Sequence, residues 1–291
     1  LRLAAPAKLN LYLHVTGRRA DGYHLLDGLV AFADIADELT ITPATALSFA
    51  VDGPFADGLG DGPSNLVVRA ARSMAELFGR RADFAFALTK NLPVASGIGG
   101  GSADAAACIR GIAELWGMDP NQHEILRMAE RLGSDLPVCV RGTATFIGGT
   151  GADLDQAPEL PPAGLVLVNP RIPLPTPSVY RARTGPFTPP MRFSVTPADA
   201  ASLAALLETR RNDLTGAAIG LVPSIGTVLA VLTALPGCLL ARMSGSGATC
   251  FALFADRETA AGAAMAIREQ HQDWWVAAGR LVTDSATLDA D

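Results

Sequence analysis

The stretch Pro93-Val94-Ala95-Ser96-Gly97-Ile98-Gly99-Gly100-Gly101-Ser102-Ala103-Asp104 constrains this chain more than any other segment. Four glycines in five positions clear side chains from the backbone, so that its N–H groups can close on an anion and single residues can take positive φ. The alanine-rich run that follows, 102–116, has helical composition and is stopped by Gly117. A helix start offers unpaired N–H donors and a partial positive charge of about half a unit. Loop and helix together predict a phosphate cradle. The plainer alternative is a flexible turn with Ser102 as the N-cap.

Other phosphate and nucleophile signatures fit less well. A P-loop needs a lysine after its last glycine, and none follows here. In the dinucleotide pattern a third glycine should stand where Ser102 does. Ser244-Gly245-Ser246-Gly247 does not form the Gly-x-Ser-x-Gly elbow of a serine hydrolase.

A net charge of -6 argues against a nucleic-acid or anionic-membrane partner, since both select basic surfaces. Backbone N–H groups can still hold a nucleotide on an acidic protein. Cys108, Cys139, Cys238 and Cys250 form no C-x-x-C pair, and His14, His24, His123 and His271 show no zinc spacing. The pattern reads as free thiols in a reducing cytoplasm. Neither a signal-peptide pattern nor an apolar run of about 18 residues is found. Of the 23 basic residues only Lys8 and Lys90 are lysines. A lysine kept under such an arginine bias can mark a place where a compact ammonium is needed; that reading is favoured for Lys8, and chance survival for Lys90.

Residues 7–15 alternate. Ala7, Leu9, Leu11, Leu13 and Val15 fall on one face, and Lys8, Asn10, Tyr12 and His14 on the other, which predicts a half-buried strand. Further strands are expected at 38–42, 46–51, 84–89, 143–147, 238–243, 249–254 and 275–282. Helices are expected from Ser64 or Asn65 to Phe78, and at 120–132, 197–209, 224–235 and 258–270. Gly148, Gly149 and Gly151 should break the strand before them, and proline becomes dense over 151–191. The length suggests two domains, 1–150 and 151–291, and the mixed elements suggest an α+β class.

The glycine stretch resembles the central motif of the GHMP kinases. Ala5-Pro6-Ala7-Lys8-Leu9-Asn10-Leu11 resembles their N-terminal motif and Ser244-Gly245-Ser246-Gly247-Ala248-Thr249 their C-terminal one, in the same order. Gly17-Arg18-Arg19-Ala20-Asp21-Gly22-Tyr23-His24, Gly133-Ser134-Asp135-Leu136-Pro137-Val138 and Pro175-Thr176-Pro177 are similar to one branch of that family. That branch phosphorylates the 2-hydroxyl of a cytidine diphosphate-linked polyol in isoprenoid precursor synthesis.

The resemblance implies a two-domain α+β kinase with its active site in the interdomain cleft, using ATP with Mg²⁺. Asp135 would be the general base, and Lys8 would stabilise negative charge on it and on the attacking oxygen. Asn65, Pro93, Gly97, Gly99, Gly100, Gly101, Ser102, Ala103, Ser244 and Gly245 would hold the nucleotide. Asn10, Tyr23, His24, Thr176 and Tyr180 would hold the substrate, with the tyrosine rings stacking on cytosine. The implied partner is a small molecule, without nucleic acid or membrane, for a cytoplasmic monomer or homodimer; no metal ligands are assigned. Read without the resemblance, Asp135 is a helix N-cap or turn residue, Lys8 a solvated strand lysine, Asn65 a helix cap, and the aromatics core residues.

Ile98 replaces the family's usual leucine with its volume kept, and Ala103 removes a serine hydroxyl that could touch phosphate or metal. The segment before the loop also carries fewer glycines than in many relatives. Three rivals stay open: another GHMP kinase such as one for homoserine, a non-catalytic binding protein of the same fold, and an ATP-driven decarboxylase. Homoserine needs no aromatic pocket, a binding protein needs neither Lys8 nor Asp135, and a decarboxylase needs a basic clamp.

Overall fold

The computed structural model describes residues 1–57, 59 and 62–289. Its frame is a long antiparallel hairpin of β1 (Arg2–Arg18) and β2 (His24–Pro43). β2 also pairs with β4 (Phe84–Thr89), β5 (Thr145–Gly149) and β10 (Trp275–Val282). β3 (Ser48–Asp52) runs parallel to β4, and β6 (Asp153–Gln156) closes on β5. β10 continues into β7 (Gly164–Asn169), then β9 (Cys250–Phe254) and β8 (Leu240–Met243). The sheet therefore runs unbroken across position 150, joined by the last strand of the chain.

Helices α1 (Leu66–Phe78), α2 (Gly100–Leu115), α3 (His123–Leu132) and α4 (Leu136–Arg141) belong to the first half. α5 (Thr176–Ala182), α6 (Ala200–Glu208), α7 (Thr215–Leu221), α8 (Ser224–Ala234) and α9 (Arg257–Gln270) follow in the second. The class is α+β, as the mixed pattern predicts. Among the described residues no helix is long and apolar enough to cross a membrane. α1 shows how locally the sequence acts: Asn65 Oδ1 accepts from the Val67 N–H at 2.9 Å, and Gly79 ends the helix at φ 60°.

β1 departs from the half-buried strand expected of it. Lys8, Asn10, Tyr12 and His14 are all at most 3% exposed, because side chains pack on both faces of the strand, although among the described strands it pairs with β2 alone. Nor do those four share a face. The register shifts between Asn10 and Tyr12, so that Leu11 has no single partner on β2. Beyond that shift Tyr12 joins the cluster that holds Ala7, Leu9 and Leu11, while Leu13 and Val15 join the other. Lys8 and Asn10 are left facing away from Tyr12 and His14.

β2 is far longer than the 38–42 strand read from sequence. Gly148 and Gly149 sit inside β5, where they pair with Asp27 and Leu26. β6, β7, α4, α5 and α7 go beyond the sequence reading. β7 lies between Pro162 and Pro170 as an apolar run closed by Asn169, buried at every residue, which shows no alternation to read.

Candidate active site

α2 starts at Gly100, not at Ser102, with Gly99 at the N-cap position in the left-handed region at φ 65°. That turn presses the loop onto β1: the Lys8 N–H donates to the Ile98 carbonyl at 2.9 Å, and a Cβ on Gly99 would stand 3.1 Å from Lys8 Cε. At Gly97, φ is 78° and a Cβ would stand 2.6 Å from the Ser244 carbonyl oxygen. A side chain at either position would push the glycine loop off its supports.

The Ser-Gly-Ser-Gly turn between β8 and β9 is one of those supports. Ser244 Oγ accepts from the Asn10 N–H at 3.1 Å and donates to the Gly97 carbonyl at 3.0 Å. The Thr249 N–H donates to the Ser96 carbonyl at 3.0 Å. A single hydroxyl thus joins all three sequence motifs. Ser244 is wholly buried and does not line the cavity, whereas Gly245 does.

Lys8, 3% exposed, directs its ammonium to Asn10 Oδ1 at 2.9 Å and to Asp135 Oδ2 at 3.1 Å. A buried ammonium needs such partners to offset its lost hydration. Asp135 immediately precedes α4, but its side chain makes no capping bond; Pro137, in the first turn, sets the helix start instead. The carboxylate is free to face Lys8 and the open cavity, with its side chain 43% exposed.

These groups line a cavity of about 1300 Å³. Gly97, Gly99, Gly100, Gly101 and Ser102 form its floor. Tyr23, His24, Thr176 and Tyr180 stand on its wall, as does Asn10. His24 and Tyr180 pack with ring centroids 5.0 Å apart and planes at 32°. Tyr23 is 67% exposed at the mouth. Burial lowers the His24 pKa, and the charges of Arg18 and Arg183 lower it further, so the ring is neutral at pH 7. Burial, reinforced by the charge of Asp135, raises the Tyr180 phenol well above its ordinary value. Thr176 Oγ1 lies 2.7 Å from Ser246 Oγ.

Asn65 and Pro93 line a second cavity of about 300 Å³, which shares Gly100 and Gly101 with the first. Ala103 lines neither; its methyl is buried in the core behind the loop. Lys90 lies 2% exposed under the first turn of α2. Its ammonium pairs with Asp37 and, at 2.6 Å, with Asp104. Burial works against that ammonium, but the two carboxylates outweigh it and the Lys90 pKa is raised. Burial also pushes the Asp104 carboxyl up to about 8 against the pull of Lys90. Asp37 in turn accepts from the Asn91 and Leu92 N–H groups, so the trio anchors the strand that enters the glycine loop.

The cavity wall also carries Arg18, Arg181 and Arg183, which were given no role from sequence. Arg18 stood in the motif leading to His24 and could have been noticed there. Arg181 and Arg183 follow from α5, an element that the sequence reading lacked.

Residues 65–143 match the GHMP kinases N terminal domain and residues 198–273 the GHMP kinases C terminal. The chain is 52% identical to a 4-diphosphocytidyl-2-C-methyl-D-erythritol kinase of Paramagnetospirillum magneticum, over 97% of this chain and 98% of that one. It is 51% identical to the enzyme of the same name from Rhodospirillum rubrum, over 99% and 94%. A crystal structure of 4-(cytidine 5'-diphospho)-2C-methyl-D-erythritol kinase superposes with a TM-score of 0.80 at 34% identity, covering 97% of this chain and 99% of that one. Homoserine kinase from Cytophaga hutchinsonii, 16% identical over 98% and 95%, shares the fold with a TM-score of 0.70. With both halves of the family present and full-length relatives at half identity, the chain belongs to the GHMP kinases, in the group of 4-diphosphocytidyl-2-C-methyl-D-erythritol kinases.

Proposed function

We propose that this chain transfers the γ-phosphoryl group of ATP to the 2-hydroxyl of 4-diphosphocytidyl-2-C-methyl-D-erythritol, in the cytoplasm. The observation that carries the reading is the 3.1 Å pair of Lys8 and Asp135, set over a glycine-lined helix start. The aromatic group Tyr23, His24 and Tyr180 shares that cavity, whose volume exceeds the range of about 300–1000 Å³ usual for one small ligand and suits two. Residues 1–150 would supply the phosphate loop and base, and residues 151–291 the Ser244 turn and Tyr180.

In this reading the first-turn N–H groups of α2 receive the phosphates of ATP, and open space beside Gly101 leaves room for them. Mg²⁺ carried on those phosphates would neutralise their charge; among the described residues no group of three or more His, Cys, Asp or Glu side chains is placed to hold a metal. Asp135 takes the proton of the 2-hydroxyl as its oxygen attacks the γ-phosphorus. The new O–P bond forms while the bond to the β,γ-bridging oxygen breaks, and ADP leaves. Lys8 offers positive charge to the oxygen that loses the proton. Neutral His24 presents one donor and one acceptor to the cytosine edge, with tyrosine rings to stack on it.

ADP release measured across candidate alcohols tests the reading. Turnover is expected with the cytidine diphosphate substrate and not with homoserine, and should nearly vanish in Asp135→Ala. Robust turnover of homoserine, or a fully active Asp135→Ala, would overturn it.

A further inference from the structure

Arg242 is the penultimate residue of β8, two residues before Ser244, and is only 8% exposed. Among the described residues it pairs with no carboxylate. Its guanidinium instead serves three backbone carbonyls from three segments: Nη1 donates to Leu11 at 2.6 Å, and Nη2 donates to Leu207 at 3.0 Å and to Arg210 at 2.8 Å. Burial, reinforced by the charge of Arg210, lowers its pKa to about 10, so it stays protonated at neutral pH. A charge buried without a counter-ion is costly, and an apolar side chain would fill the same space more cheaply. What an apolar side chain lacks is the planar fork that can hold separated carbonyls at fixed angles.

Leu11 is the residue at which β1 shifts register. On one side of it Lys8 and Asn10 face the glycine loop; on the other, Tyr12 packs into the opposite cluster. The backbone at this point is gripped twice, on two nearby peptide units, from the end of β8 and the turn after it. Ser244 Oγ takes the Asn10 N–H and Arg242 takes the Leu11 carbonyl. Asn10 Oδ1 then holds the Lys8 ammonium. We propose that Arg242 is a positioning residue for phosphoryl transfer: by holding the Leu11 carbonyl it fixes the bulge that aims Asn10 and Lys8 at Asp135. The inference rests on the proposed role of that lysine–aspartate pair.

The test measures kcat and both KM values, with ATP and the cytidine diphosphate substrate, for wild type, Arg242→Lys, Arg242→Met, Ser244→Ala and the Arg242→Lys/Ser244→Ala double variant. All are assayed well below their melting temperatures, with folding checked by circular dichroism. Lysine keeps the charge and loses the fork. Arg242→Lys is expected to lose about tenfold in kcat, with both KM values within about twofold of wild type. Because both side chains hold the same short stretch of β1, the Asn10 N–H and the Leu11 carbonyl on either side of the register shift, the double variant should fall no more than about twofold below the weaker single variant. Ile267→Val, a core change in α9 away from the cavity, controls for stability: a similar loss of melting temperature should leave kcat unchanged. If Arg242→Met fails to fold, Arg242→Lys carries the result.

Wild-type kcat in Arg242→Lys, a rise in KM in place of the fall in kcat, or losses that multiply in the double variant would each overturn the inference alone. A wild-type chain inactive on the cytidine diphosphate substrate would overturn the proposed function, and this role with it.

Discussion

Lys8 of β1 and Asp135 at the start of α4 face each other at 3.1 Å, with the ammonium buried and the carboxylate open to the cavity. This asymmetry suits a base that must meet a substrate proton while its charge partner stays fixed. Asp135→Asn keeps the shape and removes the basicity, so kcat should fall by about 10²–10⁴-fold. ATP affinity, measured by calorimetry, should stay close to wild type. A variant that retains activity would remove Asp135 from the chemistry.

The two glycines at 97 and 101 should respond in opposite ways. A Cβ at Gly97 meets the Ser244 and Gly247 backbone, and its φ of 78° is unfavourable for any other residue. Gly97→Ala should cost more than ~1 kcal/mol in denaturant unfolding. At Gly101, in the first turn of α2, a Cβ meets nothing within 4 Å. Gly101→Ala should leave stability equal or higher by up to ~1 kcal/mol, while its methyl intrudes on the phosphates and raises KM for ATP. Equal melting temperatures for the two variants would contradict the packing described.

Lys90→Met should be severely destabilising. It would leave Asp37 and Asp104 together in the core without their cation, at a cost of about 3–5 kcal/mol. Chemical denaturation measures this directly, and a loss under ~1 kcal/mol would show that the trio contributes little.

Arg18, Arg181 and Arg183 line the large cavity and, among the described residues, pair with no carboxylate. A diphosphate substrate should respond to that unbalanced charge. Its KM should rise several-fold as ionic strength goes from about 0.05 to 0.5 M, with little change in kcat. Arg183→Gln should raise KM and flatten the salt dependence. A KM indifferent to salt would assign these side chains another task.

His14 gives a pH dependence of stability. Its Nδ1 donates to the Pro189 carbonyl at 3.2 Å, and its Nε2 accepts from the Arg211 N–H at 3.2 Å, so both nitrogens are committed in the neutral ring. Burial lowers its pKa below the ordinary 6.5, outweighing the bond to the Pro189 carbonyl and the charges of Asp213 and Asp27, and Arg211 assists. Below pH 6.5 the unfolded chain therefore binds a proton that folded His14 refuses. The histidine's contribution is complete above pH 6.5 and is lost as pH falls toward the folded pKa. His14→Gln should be less stable at pH 7.5 and should narrow its gap to wild type near pH 5.5.

Much of the molecule is written locally. Asn65 and Gly79 bound α1 through one side-chain bond and one left-handed residue, and the glycine run marks a loop entering a helix, because caps and turns depend on a few adjacent residues. The glycine loop and the positions of Lys8, Asn10, Asp135, Tyr23 and His24 were legible because their motifs are contiguous in sequence. What only the tertiary structure decided depends on partners distant in the chain. The alternation of β1 puts Lys8, Asn10, Tyr12 and His14 on one face, yet a register shift against β2 separates the first pair from the second. Nothing adjacent to Lys90 in the sequence names its partners, Asp37 and Asp104. β7 shows no alternation because both of its faces are buried, and α5, with Tyr180 and the arginines beyond it, is held by tertiary contacts in a proline-dense stretch. Sequence carries the identity of a charge, while its neighbours, and so its role, are set by which strand and helix ends the packed sheet brings together.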